Sequence, residues 1–191
     1  MSSITKKEQR VGIFIDVQNL YHSAKNLFQA RVNYKELIKD LVDGRKLIRA
    51  IGYVVKTEGT AAQQKLSEPR LEGREGEASF FEALEKAGVE LRMKDIQIFP
   101  GGMKKADWDV GMAVDAIRMS SFLDVVVLVT GDGDFIPLVD YLKWGTGRTV
   151  EVAAFGRSAS GKLKEVADVF INLEEKPKVL LYKKEKYDRS E

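Results

Sequence analysis

Apolar residues along this 191-residue chain fall into two alternating patterns. Val11-Gly-Ile-Phe-Ile15 is a short unbroken run that stops at Asp16, and it predicts a buried strand. Over 20–28 the spacing turns helical, with Leu20, Ala24, Leu27 and Phe28 on one stripe, and over 34–42 Tyr34, Leu37, Ile38, Leu41 and Val42 repeat it before Asp43-Gly44 ends the helix. Residues 47–55 read as the second strand. Residues 56–76 hold no sustained pattern and read as a long loop with room for a short helix, of the kind that serves as a functional lid or is disordered. A helix over 78–87 is closed by Gly88, and 89–99 is extended, broken near Lys94-Asp95 and followed by a turn at Pro100-Gly-Gly102. Trp108, Met112, Ala113, Ala116 and Ile117 space a helix over 108–119. Asp124-Val-Val-Val-Leu-Val129 is the clearest strand, apolar at consecutive positions as a parallel strand covered on both faces must be. A helix over 135–144 with Pro137 in its first turn, a strand over 149–155, a helix over 161–167 and a strand over 169–173 complete the pattern. The tail from Glu174, six basic and five acidic residues, reads as a helix or as frayed chain.

This alternation predicts an α/β fold with a parallel sheet and helices on both faces. In such sheets ligands sit beyond the C-terminal strand ends, where the strand order reverses. The length suits one domain.

Composition narrows the chemistry. There is no cysteine, so disulfides, thiolate zinc sites and a cysteine nucleophile are excluded, and the single histidine, His22, excludes a metal site of several imidazoles. His22 itself reads as a surface or packing residue on the first helix. A net charge of +2 permits a nucleic-acid partner without announcing one. No apolar run approaches the ~20 residues of a membrane span, and the N-terminal apolar stretch is too short for a signal peptide, so a soluble cytoplasmic protein with no membrane partner is the default expectation.

What remains is carboxylate chemistry. The first strand ends at Asp16, the strand from Asp124 ends in Thr130-Gly-Asp-Gly-Asp134, and Ala106-Asp-Trp-Asp109 opens a helix. If the two strands are neighbours, Asp16, Asp132 and Asp134 share one edge of the sheet. Carboxylates so gathered raise one another's pKa unless a cation neutralises them, and Mg²⁺ or Mn²⁺ suits an all-oxygen site. Aspartate is also a favoured helix N-cap, so Asp132 or Asp134, and Asp107 or Asp109, have that role open to them; a capping oxygen leaves its partner free for a metal. Gly131 and Gly133 read as residues that allow a tight turn with positive φ. An EF-hand is excluded because Ile136 and Pro137 stand where a ligand and a glycine are needed, and Gly161-Lys162-Leu163 breaks a phosphate-loop motif.

Three segments in this order, Phe14-Ile-Asp-Val-Gln-Asn-Leu20, Asp107-Trp-Asp-Val-Gly-Met-Ala-Val-Asp115 and Val129-Thr-Gly-Asp-Gly-Asp-Phe-Ile-Pro-Leu138, resemble the NYN domains of the PIN-like nuclease superfamily, nearest the LabA-like (DUF88) branch. Val150-Glu-Val-Ala-Ala-Phe155 and Ala167-Asp-Val-Phe-Ile171 resemble the same branch, so the likeness spans about 10–173 and leaves 174–191 as a charged tail. The resemblance implies a Rossmann-like, three-layer α/β/α PIN fold and a Mg²⁺- or Mn²⁺-dependent ribonuclease. It implies that Asp16, Asp109, Asp132 and Asp134 are the metal-site and catalytic acids, with Asn19 supporting them by hydrogen bonding. Asp115, more than a turn beyond Asp109, reads as supporting or structural, and Asp107 competes with Asp109 for the metal position. Thr130 offers a hydroxyl to a phosphate, to metal-bound water or to its own turn.

RNA, single-stranded or structured, is the partner this implies. Lys104, Lys105, Arg118, Arg157, Lys162 and Lys164 are the candidates for holding its phosphates. Trp108 and Trp144 read as core or interface anchors rather than base-stacking platforms. Val179-Leu-Leu-Tyr182 in the tail offers a helix or strand to a partner, and a homodimer is one form this takes. Two alternatives stand beside the nuclease: a non-catalytic RNA-binding or regulatory module on the same fold, and a phosphohydrolase acting on small phosphate esters.

Overall fold

Two neighbouring parallel strands organise the molecule, one ending at Asp16 and the other starting just after Asp124. The computed structural model describes residues 6–56, 73–95, 97–98, 104–105 and 108–182. Most of the expected 56–76 loop, the turn at 100–102 and Asp107 lie outside the described residues.

The chain order is β1 (Arg10–Asp16), α1 (Val17–Phe28), β2 (Ala30–Val32), α2 (Tyr34–Val42), β3 (Lys46–Lys56), α3 (Gly73–Lys86), β4 (Glu90–Asp95), β5 (Gln97–Ile98), β6 (Lys104–Lys105), α4 (Asp109–Ser120), β7 (Val125–Val129), α5 (Ile136–Asp140), β8 (Thr149–Ala154), α6 (Gly161–Val166), β9 (Val169–Asn172) and β10 (Leu180–Tyr182). Six strands form one all-parallel sheet in the order β4-β3-β1-β7-β8-β9. Counting only these strands along the chain, the order is 3-2-1-4-5-6, so the winding reverses between β1 and β7.

The consecutive apolar run of β7 has its reason in two cores. Val125, Val127 and Val129 face a core shared with α1, α2 and α3, while Val126 and Leu128 face a second one shared with α4, α5 and α6. Alternate side chains of a strand point to opposite faces, so a strand between two helical layers is apolar throughout. The result is a three-layer α/β/α architecture. Among the described residues, no helix is long and apolar enough to cross a membrane.

Four local expectations need correction. The helix expected from Ala78 begins at Gly73, because Gly73-Arg-Glu-Gly-Glu77 holds no apolar residue to mark its first turn. The segment expected as one helix over 135–144 is a 3₁₀ turn (Gly133–Phe135), then α5, then a π-helical turn (Tyr141–Gly145). Of the two roles expected for Trp144, core or interface anchor, only the core role is overturned: it is 84% exposed. The tail from Glu174 is neither a helix nor frayed up to Tyr182. It makes two 3₁₀ turns, buries Val179 and Leu180, and pairs β10 antiparallel with β2 of its own chain. Those apolar residues find their partner within the molecule.

Candidate functional site

The reversal of winding leaves a gap at the C-terminal ends of β1 and β7, and aspartates fill it from three directions. Asp16 is the last residue of β1 and the N-cap of α1, its Oδ1 accepting from the Asn19 N–H at 3.0 Å. Asp132 follows β7 and caps the 3₁₀ turn, accepting from the Asp134 N–H at 3.0 Å. Asp109 opens α4 behind Trp108, an N-cap residue with no side-chain capping bond. A carboxylate there complements the partial positive charge of the helix start.

Carboxylate oxygens of Asp109, Asp132 and Asp134 lie within 4.8 Å of one another. Two oxygens on one ion at ~2.1 Å sit about 3–4 Å apart, so small side-chain adjustments bring all three onto a hard divalent cation. The donor set is oxygen only, which suits Mg²⁺ or Mn²⁺. Asp16 stands outside that triplet but lines the same cavity as Asp109 and Asp132, a space of about 220 Å³ also bordered by Gln18, Asn19, Tyr53 and Trp108. Burial pushes the Asp16 carboxyl above its ordinary range and the charge of Asp132 adds to this, against the lowering effect of the Asn19 N–H and the Thr130 hydroxyl. A cation in the cavity removes that conflict.

Hydrogen bonds tie the two acid-bearing turns together. The Thr130 hydroxyl donates to Asp16 Oδ2 at 3.4 Å and accepts from the Asp132 N–H at 3.2 Å. The Asn19 side-chain oxygen accepts from the Gly131 N–H at 3.0 Å. Gly131 and Gly133 do not adopt positive φ, contrary to the sequence reading. They are small because the loop after β8 packs on them: a Cβ on Gly131 would lie 3.1 Å from the Ser158 carbonyl oxygen, and one on Gly133 would lie 3.0 Å from Ser160 Oγ.

On the far wall, Tyr53 lies beside Asp16 in the β1–β3 register and is 1% exposed. Its hydroxyl donates to Asp115 at 3.0 Å, and Arg92 Nε is 3.6 Å from the same carboxylate. Burial, reinforced by the Asp115 charge, pushes the phenol well above its ordinary value. Asp115 therefore fastens α4 to β3 and β4 and does not face the acids. Trp108 packs against Tyr53 at 5.5 Å, donates Nε1–H to the Val54 carbonyl at 2.8 Å, and lies so close over Gly111 that a Cβ there would meet its ring at 2.5 Å. These contacts set where α4, and with it Asp109, begins. Gln18, Tyr53 and the lining role of Trp108 were not anticipated; Tyr53 sits mid-strand, and only the strand register brings it to Asp16.

The basic candidates separate. Lys162 is exposed on the first turn of α6, two residues after Ser160, whose N–H donates to Gly131 O at 2.9 Å. Arg157 pairs with Glu174 at 3.1 Å and covers the Phe28 ring, and Lys164 donates to the Gly156 carbonyl at 2.5 Å, so both brace the loop behind the acids. Arg118 is nine residues along α4 from Asp109, roughly 13 Å down the helix. Lys104 and Lys105 form β6, paired with β5. His22 is half-buried, edge-on to Tyr21, and does not line the cavity.

A search of curated proteins finds no match. Among solved structures, a protein of unknown function from Vibrio parahaemolyticus is similar, with a TM-score of 0.76 and 26% identity over 94% of this chain and 100% of that one. The family model described as the NYN domain matches residues 10–174. By that match, and with the sheet order and acidic edge just described, the chain belongs to the NYN domain family of the PIN-like nuclease superfamily.

Proposed function

We propose that this NYN domain is a Mg²⁺- or Mn²⁺-dependent ribonuclease of the LabA-like (DUF88) branch, hydrolysing phosphodiester bonds in single-stranded or looped RNA. The observation that supports it is the gathering of Asp109, Asp132 and Asp134 from two separate elements beside Asp16, where the winding reverses. Asp109, Asp132 and Asp134 would hold the ion, with Asp16 on the adjoining wall. A bound divalent ion supplies a polarised phosphate oxygen and a water of lowered pKa. The chain's own residues do the rest. Asn19 and Thr130 lock the Asp16 and Asp132 turns together, Trp108 and Asp115 fix the start of α4, and Lys162 offers a charge to a neighbouring phosphate.

The test is a cleavage gel on labelled single-stranded RNA, beside phosphate release from a small ester, each with Mn²⁺ and with EDTA. RNA cleavage in Mn²⁺ alone, reduced at least about a hundredfold by Asp132→Asn and by Asp109→Asn in folded protein, is expected when several kcal/mol of metal assistance is lost. Salt-sensitive RNA binding without turnover, or turnover of the ester alone, would replace this reading with one of its alternatives.

A further inference from the structure

The outer side of the α4–α5 layer carries apolar side chains that the fold does not use. Val110, Val114 and Ile117 follow one another at i, i+4 and i+7 on α4 and are all exposed, Val110 to 75%. Tyr141 and Trp144 project from the π-helical turn that continues α5. Both segments bury their inner sides in the same core, so their outer sides form one layer. The π register, closed by the Thr146 N–H donating to the Tyr141 carbonyl at 3.2 Å, is a rare geometry found disproportionately at functional sites. A tryptophan left in water on the same side of the sheet as a row of exposed aliphatic residues has the composition of an interface core.

The charges of the layer indicate what covers it. Its exposed residues include one cation, Arg118 on α4, and one anion, Asp140 on α5, and neither makes an ion pair among the described residues. Lys143, between Tyr141 and Trp144, is paired with Asp168 at 3.0 Å and donates to the Val166 carbonyl at 2.6 Å; its ammonium lies 6.0 Å from the centre of the Trp144 ring, so the charge it brings to this face is already matched within the fold. RNA requires clustered positive charge, and an anionic lipid surface requires a basic rim; this layer has neither. An apolar face with one charge of each sign is complementary to itself under two-fold rotation. We propose that it docks against the same face of a second copy of the chain, Arg118 of each copy opposite Asp140 of the other. The contact reaches the acidic edge only at Val110, next to Asp109, and uses none of the acids, so the oligomeric state tests it independently of the nuclease reading.

Sedimentation velocity of the full chain across a micromolar range tests it. The wild type is expected to reach twice the chain mass. Arg118→Asp alone and Asp140→Arg alone each set like charges together twice in a symmetric interface, and each is expected to weaken the dimer by more than about tenfold. The double variant Arg118→Asp/Asp140→Arg restores opposite charges and is expected to return to within about threefold of wild type. Trp144→Ser, at an exposed position, is expected to leave the fold intact and the chain monomeric. A wild type that stays monomeric, or single reversals that leave the dissociation constant unmoved, overturns the proposal. So does a monomer whose RNA affinity falls on Trp144→Ser, which would make the layer an RNA platform.

Discussion

Asp16 and Asp124 sit at opposite ends of two neighbouring strands, and the fold treats them in opposite ways. Asp124 receives the backbone N–H of Arg10 and two of its guanidinium donors, at 2.8 to 3.0 Å, and its carboxyl is held down to about 2, chiefly by that side-chain pairing. At the same end of the sheet, Glu151 takes a bidentate contact from Arg45 at 2.6 and 2.9 Å, and Asp168 takes Lys143. Asp16, by contrast, is pushed up by burial and by Asp132. Among the described residues, no lysine or arginine pairs with Asp16, Asp132 or Asp134. One edge of the sheet uses acids to hold the fold. The other gathers acids at the expense of stability, the usual mark of a functional edge.

The sharpest way to probe the contrast is to remove a cation from the stabilising edge. Arg45 is 5% exposed, and besides Glu151 it serves the carbonyls of Leu41 and Val42. Arg45→Met would leave Glu151 charged and buried without a partner, at a cost of about 3–5 kcal/mol. The double change Arg45→Met/Glu151→Met should recover much of that, since an apolar pair is commonly as stable as a buried ion pair. At the acidic edge, Asp134→Asn should move stability by no more than ~0.5 kcal/mol, because the side chain is exposed. Urea denaturation ranks all three; an Asp134 effect as large as that of Arg45 would erase the distinction between the edges.

The second probe uses pH, and the two aspartates should respond with opposite signs. The folded pKa of Asp124, about 2, lies below an unfolded value of ~3.9. Its contribution is therefore fully present above pH ~4 and lost as pH falls toward 2. Asp124→Asn should lower stability at neutral pH and flatten that acid limb. Asp16 has a raised folded value, so the folded state keeps the proton longer. Stability falls as pH climbs from ~3.9 through that raised value, in the presence of EDTA. Asp16→Asn removes that loss while keeping a residue able to cap α1, and it should also shrink the stabilisation gained on adding Mn²⁺. Urea midpoints from pH 2 to 7, with and without Mn²⁺, give both slopes; equal signs for the two variants would refute the assignment of roles.

Much of this arrangement is written in the sequence, because the acids stand at places the hydrophobic pattern marks. Asp16 ends an apolar run, Asp132 and Asp134 follow the VVVLV strand, and Asp109 opens a helix whose inner face is spaced by Met112, Ala116 and Met119. The helix of Tyr34–Val42 was legible to the residue, since Asn33 caps it and Asp43 ends it in the left-handed region. Features set by distant partners were not legible. β2 and β10 are three residues each and find one another across nearly the whole chain. The π turn adds a residue per turn without disturbing the local apolar spacing, so it read as ordinary helix and hid the exposure of Trp144. Tyr53 reaches the site only through strand register.

That last class of residue supplies the finest test of how the acidic edge is held. Trp108 does for α4 what a capping side chain does elsewhere: its indole N–H bonds Val54 O across the sheet, and its ring fills the space between Tyr53 and Gly111. Trp108→Phe keeps an aromatic ring and deletes the bond, which should cost about 1 kcal/mol. A stability loss alone would describe any buried tryptophan. If the bond also fixes Asp109, Mn²⁺ affinity measured by electron paramagnetic resonance should fall several-fold, approaching the ~10-fold lower end of losses seen when a group supporting a metal ligand is removed. Destabilisation with unchanged affinity would place Trp108 among the residues that hold the fold, and Asp109 would then owe its position to α4 alone.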